Sequence, residues 1–313
     1  MAERTVLVLG PQRHVPRVRE ALALIASPDG ETPVALCSAG WEERELEHDE
    51  LQDHVGRPVV NLEVFARVES IYREDPELHA AVRARHDRMR RVQALHQHRL
   101  AHAVEAARGL ADIPDVSSDL AAEERRDAIA AIRALDRTHL DRLRGMHDAF
   151  WAEWRPEQRP AVARHRDALR EALEPCAALC VAGGHVAILL NRLRLLGVLD
   201  LCPHLPVIAW SAGAMALSHR VVLFHDSPPQ GPGYVEVFEA GLGLVGGLVP
   251  LPHAQHRLRL DDPERVSLLA ERFAPDACVV LRGGEILAWD RDRWRPHSHT
   301  EVLGPHGNLE EFA

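Results

Sequence analysis

The segment "VIAWSAGAMAL", residues 207–217, places a serine between an apolar β-branched run and a helical pattern, with Ala209 two residues before it and Gly213 two residues after. A serine raised on a sharp strand-to-helix turn needs small residues at those two positions, because the turn brings the strand and helix backbones close. Such a turn lifts the hydroxyl above the carboxyl end of a sheet. It also aims the next backbone N–H, that of Ala212, and the helix N-terminus at a developing oxyanion. The same residues equally suit a serine that caps an ordinary helix. Ser211 is thus read as a nucleophile or as an N-cap.

A second loop bears on that choice. "CVAGGHVAILLNRL" places Gly183 and Gly184 at a strand end before a helix, about one βα unit upstream. In a parallel sheet this loop lies beside the elbow, where an N–H from Gly183 or Gly184 would complete an oxyanion hole with that of Ala212. The loop lacks the G-x-G-x-x-G pattern and a P-loop lysine, which argues against a phosphate cradle. A nucleophilic serine also needs a base. His253, in "LVPLPHAQHRLRL", sits at the end of an expected strand after the elbow, with His256 as a substitute and a plain surface histidine as the bland alternative. Asp226, beyond the elbow helix, and Glu285, near the C-terminus, are the candidate acids to orient it.

The elements that must position these residues alternate. Residues 4–65 read as strand "TVLVLG", helix "HVPRVREALALIA", strand "PVALCSAG", helix "WEERELEHDELQDHVG" and strand "PVVNLEVF". Short apolar β-rich runs between helical patterns predict a parallel sheet of βαβ units. From about Arg67 to Ala172, Gly and Pro become sparse and Ala, Arg, Leu, Glu and His recur at helical spacing. One long helix or two are expected over residues 77–110, and another follows a serine cap at 117–118. The α/β pattern resumes at "CAALCVAGG", and "ACVVLRGGEILAWDRDRWRP" resembles a hairpin turning at Gly283-Gly284. The expected fold class is α/β: a doubly wound, mostly parallel sheet formed by residues 1–66 and 173–313, with a large all-helical insertion over 67–172. The insertion is of a size to form its own small core, and is read as a lid over the site or a homodimerisation arm.

Bulk composition narrows the class. An apolar fraction of 46% with 27% charged residues describes a globular chain, and the net charge of −10 argues against a nucleic-acid partner. All 37 basic residues are arginine, which removes Schiff-base, pyridoxal-phosphate and P-loop lysine chemistry. No apolar run approaches the roughly 20 residues that span a bilayer, so no membrane partner is expected. "MAERTVLVLG" has no signal-peptide character, and five cysteines without a C-x-x-C pair read as buried reduced thiols; a cytoplasmic protein is expected.

Taken in order, the motifs resemble the serine peptidase family that contains peptidase E (aspartyl dipeptidase) and cyanophycinase, whose fold is related to class I glutamine amidotransferases with serine in place of cysteine. "AWSAGA" is similar to the dipeptidase elbow W-S-A-G-A, "VAGGHVAILLNRLRLLGVL" to the V-G-G-G-N-T loop and helix, and "GLGLVGGLVPLPH" to the G-L-G-L segment leading to P-H. The resemblance covers residues 4–65 weakly and 173–295 well, and leaves the insertion outside it. It implies Ser211 as nucleophile, His253 as base, and Gly183, Gly184 and Ala212 as oxyanion hole. It further implies Asp226 as third member, at the family's spacing, with Glu285 as the rival acid displaced from the R-E-G turn, where Gly283 stands.

"HAQHRLR" keeps Arg257 and Arg259 at the spacing of the cyanophycinase H-F-x-x-R-x-R, with Ala254 in place of the aromatic. Those arginines would grip a substrate carboxylate; solvated surface arginines are the alternative. His185-Val186 replaces the family's Asn-Thr, so His185 faces the substrate in place of polar groups and aspartyl specificity is not inherited.

The expected activity is hydrolysis of an amide bond in a small, acidic peptide through an acyl-enzyme on Ser211, without a cofactor. Acyl transfer by the same serine, and a non-catalytic binding protein of this fold, are the alternatives. An ordinary α/β-hydrolase would place its histidine after the last strand, whereas a helix and two strands are expected after His253. A metal site from His98, His102 and Glu105, with His139 and His147 on a later helix, has the spacing of a helical-bundle site but no repeated Glu-x-x-His, and no metal is expected.

Overall fold

The computed structural model describes residues 4–25, 30–110, 113, 117–226, 234–290 and 293–312. The first three residues of the N-terminal reading, Ala26 of the first expected helix and residues 291–292 of the expected hairpin lie outside them. Five short strands form the centre of a seven-stranded sheet: β1 (Val6–Leu9), β2 (Val34–Cys37), β3 (Val59–Asn61), β4 (Leu179–Val181) and β5 (Val207–Trp210). They run parallel in the order β1-β5-β4-β2-β3, and β10 (Ile286–Asp290) and β11 (Arg293–Pro296) continue antiparallel beyond β1. The expectation of an α/β chain with a mostly parallel sheet and many helices holds.

The central strands are near-continuous apolar runs because both faces are covered. Alternate side chains divide between two cores. Leu7, Leu9, Leu36, Cys180, Ile208 and Trp210 pack with Val18, Ala21 and Leu22 of α1 (Val18–Ile25) on one face. Val6, Ala35, Cys37, Val181, Val207 and Ala209 pack on the other face with α7 (Val186–Leu196) and α9 (Ala212–Leu217). All five cysteines are free and buried, and burial pushes the Cys37, Cys180 and Cys278 thiols up to about 12.

Two local expectations are corrected. The stretch "WEERELEHDELQDHVG" is a 3₁₀ turn, Ala39–Arg44, followed by a short α2 (Asp49–Val55), and not one helix. Glu45 explains the break. Its carboxylate is buried and accepts the backbone N–H groups of Phe65 (3.0 Å) and Ala66 (3.1 Å) at the start of α3 (Val64–Glu74), which requires the chain to turn inward there.

The second correction concerns Gly283-Gly284, which does not close a hairpin. β9 (Ala277–Leu281) pairs with β8 (Leu248–Pro252) and β12 (Glu301–Leu303) in a separate four-stranded sheet completed by β13 (Leu309–Glu311), whereas β10 pairs with β1 and β11. The glycines, at φ 144 and 93, carry the chain from one sheet to the other. Local turn chemistry lost to burial: Leu281 and Leu287, either side of the turn, sit in one apolar cluster between the sheets with Val8, Ala214, Leu248 and Val279. Among the described residues five strands, not two, follow His253.

The helical stretch consists of α3, α4 (Pro76–Gly109), α5 (Ser118–Trp154) and α6 (Pro160–Leu173). Residues 77–110 give one long helix, with Asp75 capping its start by accepting the Leu78 N–H at 3.0 Å. Ser117 stands at the N-cap of α5 but makes no side-chain cap bond. Leu78, Val82, Leu140 and Phe150, near the body, belong to the main core. Further out, Leu100, Val104, Ala107, Ile129 and Ile132 form a small cluster that Leu268 of α11 (Pro263–Phe273) completes. The small cluster at the distal part of the insertion is thus shared with α11 of the body.

Buried ion pairs fasten this seam. Arg272 of α11 donates two bonds of 2.7 Å to the Asp136 carboxylate of α5. Burial pushes that carboxyl up, but His96 and Arg272 outweigh it and hold it below the ordinary carboxylate range. Glu239 of β7 (Glu236–Ala240), which pairs with β6 (Arg220–Leu223), meets His147 of α5 at 2.7 Å and Arg194 of α7. No described helix is long and apolar enough to cross a membrane. Asp136→Ala is expected to destabilise the fold by about 3–5 kcal/mol in urea unfolding, because it strands a buried guanidinium. Asp136→Leu combined with Arg272→Met is expected to recover most of that loss.

Candidate active site

Ser211 follows β5 at φ 51, ψ −120 and precedes α9. This is a left-handed region that L-residues rarely adopt, and holding a serine there costs on the order of 1–3 kcal/mol. The side chain makes no cap hydrogen bond, so the N-cap reading of this serine has no geometric support. Neighbouring backbone imposes the conformation. A Cβ on Gly213 would collide with the Val181 carbonyl oxygen and sit 2.9 Å from that of Ala182, so α9 starts hard against the end of β4.

The glycine loop flanks the serine as expected. A Cβ on Gly183 would lie 2.9 Å from the Ser211 Cβ and 3.6 Å from the Ala212 nitrogen. Gly184, at φ 103, packs against the backbone of Gly40, and the His185 N–H donates to the Gly40 carbonyl at 2.7 Å. Gly40 follows β2 and was not among the expected site residues; the small run "SAG" at the end of that strand is the signal that could have found it. His185 caps α7, its Nδ1 accepting the Ile188 N–H at 3.3 Å, so this ring is engaged by the helix rather than presented freely.

His253 follows β8 in a left-handed conformation, φ 60, ψ 28. Among the described residues only five non-glycine residues have positive φ, and Ser211 and His253 are two of them. Its N–H donates to the Leu281 carbonyl at 2.8 Å. Two residues on, Gly283 lies against Gly10 at the end of β1, the strand that pairs with β5 as Leu9 beside Trp210. The same end of the fold thus carries Ser211, the glycine loop and His253. Burial lowers the His253 pKa below its ordinary value, and the charges of Arg257, His256 and His14 lower it further. His14, after β1, was not expected, and nothing in "GPQRH" marks it.

Both candidate acids are occupied elsewhere. Asp226 accepts the Arg259 N–H at 2.7 Å, pairs with Arg265, and donates its own N–H to the Arg257 carbonyl at 2.7 Å. It clamps the segment that follows His253. Glu285 accepts the N–H groups of Arg282 (3.1 Å) and Gly283 (2.8 Å) and packs against Gly10. Neither carboxylate hydrogen-bonds to His253; both hold loops beside it. Of the two arginines, Arg259 is exposed and pairs with Asp262 at 3.0 Å, whereas Arg257 is exposed beside His253 with no ion pair among the described residues.

The helical histidines serve packing. His98 and His102 meet edge to face at 4.9 Å, Glu105 accepts from the Tyr234 hydroxyl at 2.7 Å, and His139 stacks on His96 at 4.1 Å. His147 is held by Glu239. Among the described residues no group of three or more His, Cys, Asp or Glu side chains could hold a metal ion.

No family model matches the chain, and no curated protein matches it. Two solved structures are similar in shape. A peptidase from an acI-B1 Actinobacterium shares 13% identity over 99% of this chain and 97% of its own, with a TM-score of 0.46. A protein of Listeria monocytogenes EGD-e, described provisionally as peptidase E, shares 11% identity over 94% of this chain and 98% of its own, with a TM-score of 0.44. Likeness at this level fixes no activity, and the reading of function rests on the site.

Gly213→Ala is expected to lower stability by about 1–3 kcal/mol in urea unfolding, because the added methyl meets backbone that cannot yield. Gly145→Ala, where a Cβ meets open space within a helix, is expected to be neutral or stabilising.

Proposed function

We propose that this chain is a serine hydrolase that cleaves an amide bond of a small peptide carrying a carboxylate. The observation that supports the reading is the strained backbone of Ser211, whose side chain makes no cap bond to the helix it precedes. In the proposed mechanism the Ser211 hydroxyl attacks the scissile carbonyl as His253 takes its proton. The oxyanion meets the backbone N–H groups of Ala212 and the Gly183-Gly184 loop at the positive end of the sheet-to-helix junction. His253 returns the proton to the leaving amine, and water then hydrolyses the acyl-enzyme. Arg257 receives the substrate carboxylate, and His185 borders the entrance on the opposite loop.

The base works here as a dyad. Burial, followed by the charge of Arg257, favours the neutral form of His253. A neutral ring is free to accept the serine proton, and the same shift makes it a weaker base than one held by an ionised partner. Asp226 and Glu285 are positioning residues in this reading: the first fixes the 257–259 segment, the second the 282–283 turn. That no described side chain hydrogen-bonds to the His253 ring also favours a second reading, a binding protein that kept the fold without catalysis.

Reaction with a small fluorophosphonate, followed by intact-protein mass spectrometry, separates the two. One adduct on Ser211 is expected, absent in Ser211→Ala and slowed about 100-fold or more in His253→Gln. An unmodified wild-type protein would favour the binding reading and sink the hydrolase. The pH profile of modification gives an independent check. Because burial and cations lower the His253 pKa, its acid limb is expected below the ordinary histidine value of 6.5. Arg257→Ala removes one of those cations and is expected to move the limb upward. A limb that stays put, or moves down, would separate His253 from the reaction.

A further inference from the structure

A cleft of about 620 Å³ lies between the helical insertion and α7, within the roughly 300–1,000 Å³ typical of small-molecule sites. Ser211 and His253 do not line it. Its length follows α4, whose residues from His79 to Gln97 form one wall, a span of about 27 Å at 1.5 Å per residue. The apolar floor comes from Val82, Met89, Leu143, Ile188 and Phe238. Ala187 and Ile188, in the first turn of α7, are the lining residues nearest in sequence to the site. They stand two and three residues after His185, which follows Gly183 and Gly184, and Gly183 lies against the Ser211 Cβ.

The charges along the cleft constrain its occupant. Each lining carboxylate is matched: Glu69 by Arg192 at 2.6 Å, Asp87 by Arg90, and Glu239 by His147 and Arg194. His86 bonds Asn191 at 2.9 Å, and burial, followed by the charge of Arg85, lowers its pKa to about 4, so the ring is neutral near pH 7. Arg83, exposed at the rim, is the lining cation without an ion pair among the described residues. Walls of this kind accept an uncharged apolar body, tolerate an anionic end and repel a cationic one.

We propose that the cleft binds the remote part of the substrate, an elongated apolar chain with an acidic end, as it extends from Ser211 along α7 beneath the insertion. The proposal rests on the hydrolase reading and adds the substrate class: an amide of a long-chain acyl or apolar peptidyl group rather than a bare acidic dipeptide. Remote apolar contacts of this kind supply binding energy that positions the reacting bond. They also give the insertion a part in specificity.

The test compares Ser211 modification by ethyl and decyl fluorophosphonates. The decyl probe is expected to react at least about tenfold faster, since each methylene placed in the cleft leaves water. Ala94→Trp, on the exposed face of α4 that lines the cleft, is expected to erase this advantage and leave the ethyl rate unchanged. Equal rates for the two probes on the wild-type protein, or a decyl advantage that survives Ala94→Trp, would overturn the proposal. Calorimetric titration with decanoate reads the cleft without the serine. Saturable binding that Ala94→Trp abolishes supports it, and no binding overturns it, even if neither fluorophosphonate reacts. Failure of both probes with decanoate still bound would count against the serine reading alone.

Discussion

Backbone crowding at the carboxyl ends of β2, β4 and β5 is the constraint on which the rest of the site depends. Three loops leave neighbouring parallel strands and meet where there is no room for a Cβ on Gly40, Gly183, Gly184 or Gly213. Side chains there would push the loops apart, and the serine would relax toward an ordinary helix start. Because they stay together, Ser211 takes a conformation that costs free energy, and the two apolar cores beneath it hold it there. The strain is local, but the force that sustains it is the burial of both sheet faces.

A second layer of constraint is electrostatic. In a chain whose basic residues are all arginine, several deep carboxylates meet a guanidinium: Asp136 with Arg272, Glu239 with Arg194, Asp226 with Arg265. A planar fork can bond a carboxylate twice, as Arg272 does, and this fixes orientation as well as distance. These pairs join the insertion and the loops to the body. Asp226 is held in this way beside the 257–259 segment, whereas Glu285 is held by the backbone N–H groups of Arg282 and Gly283.

Much of this architecture was legible in the sequence, and the failures have physical causes. Strands such as "VLVL" and "VIAW" were recognisable because burial on both faces demands continuous apolar residues. The elbow and glycine loop were legible because close backbone approach admits only small residues. Asp226 and Glu285 were visible as acids at suggestive positions, but sequence spacing does not say which donor a carboxylate will face. Gly283-Gly284 has hairpin chemistry and lies between two apolar strands, yet β9 pairs with β8 and β10 with β1, so tertiary pairing overrode the local turn. Glu45 was hidden for a similar reason. Its role depends on backbone donors twenty residues away.

The chain between β9 and β10 links two separate sheets with four residues. Leu281, at its start, anchors His253, and Glu285, at its end, rests on Gly10 beside the elbow strand. The spacing between serine and histidine is therefore not set by either loop alone. It is the gap between two slabs, measured across the apolar filling of Leu248, Val279 and Leu287. A change of one methylene in that filling, remote from any reacting atom, would move the histidine as a wedge moves a jaw.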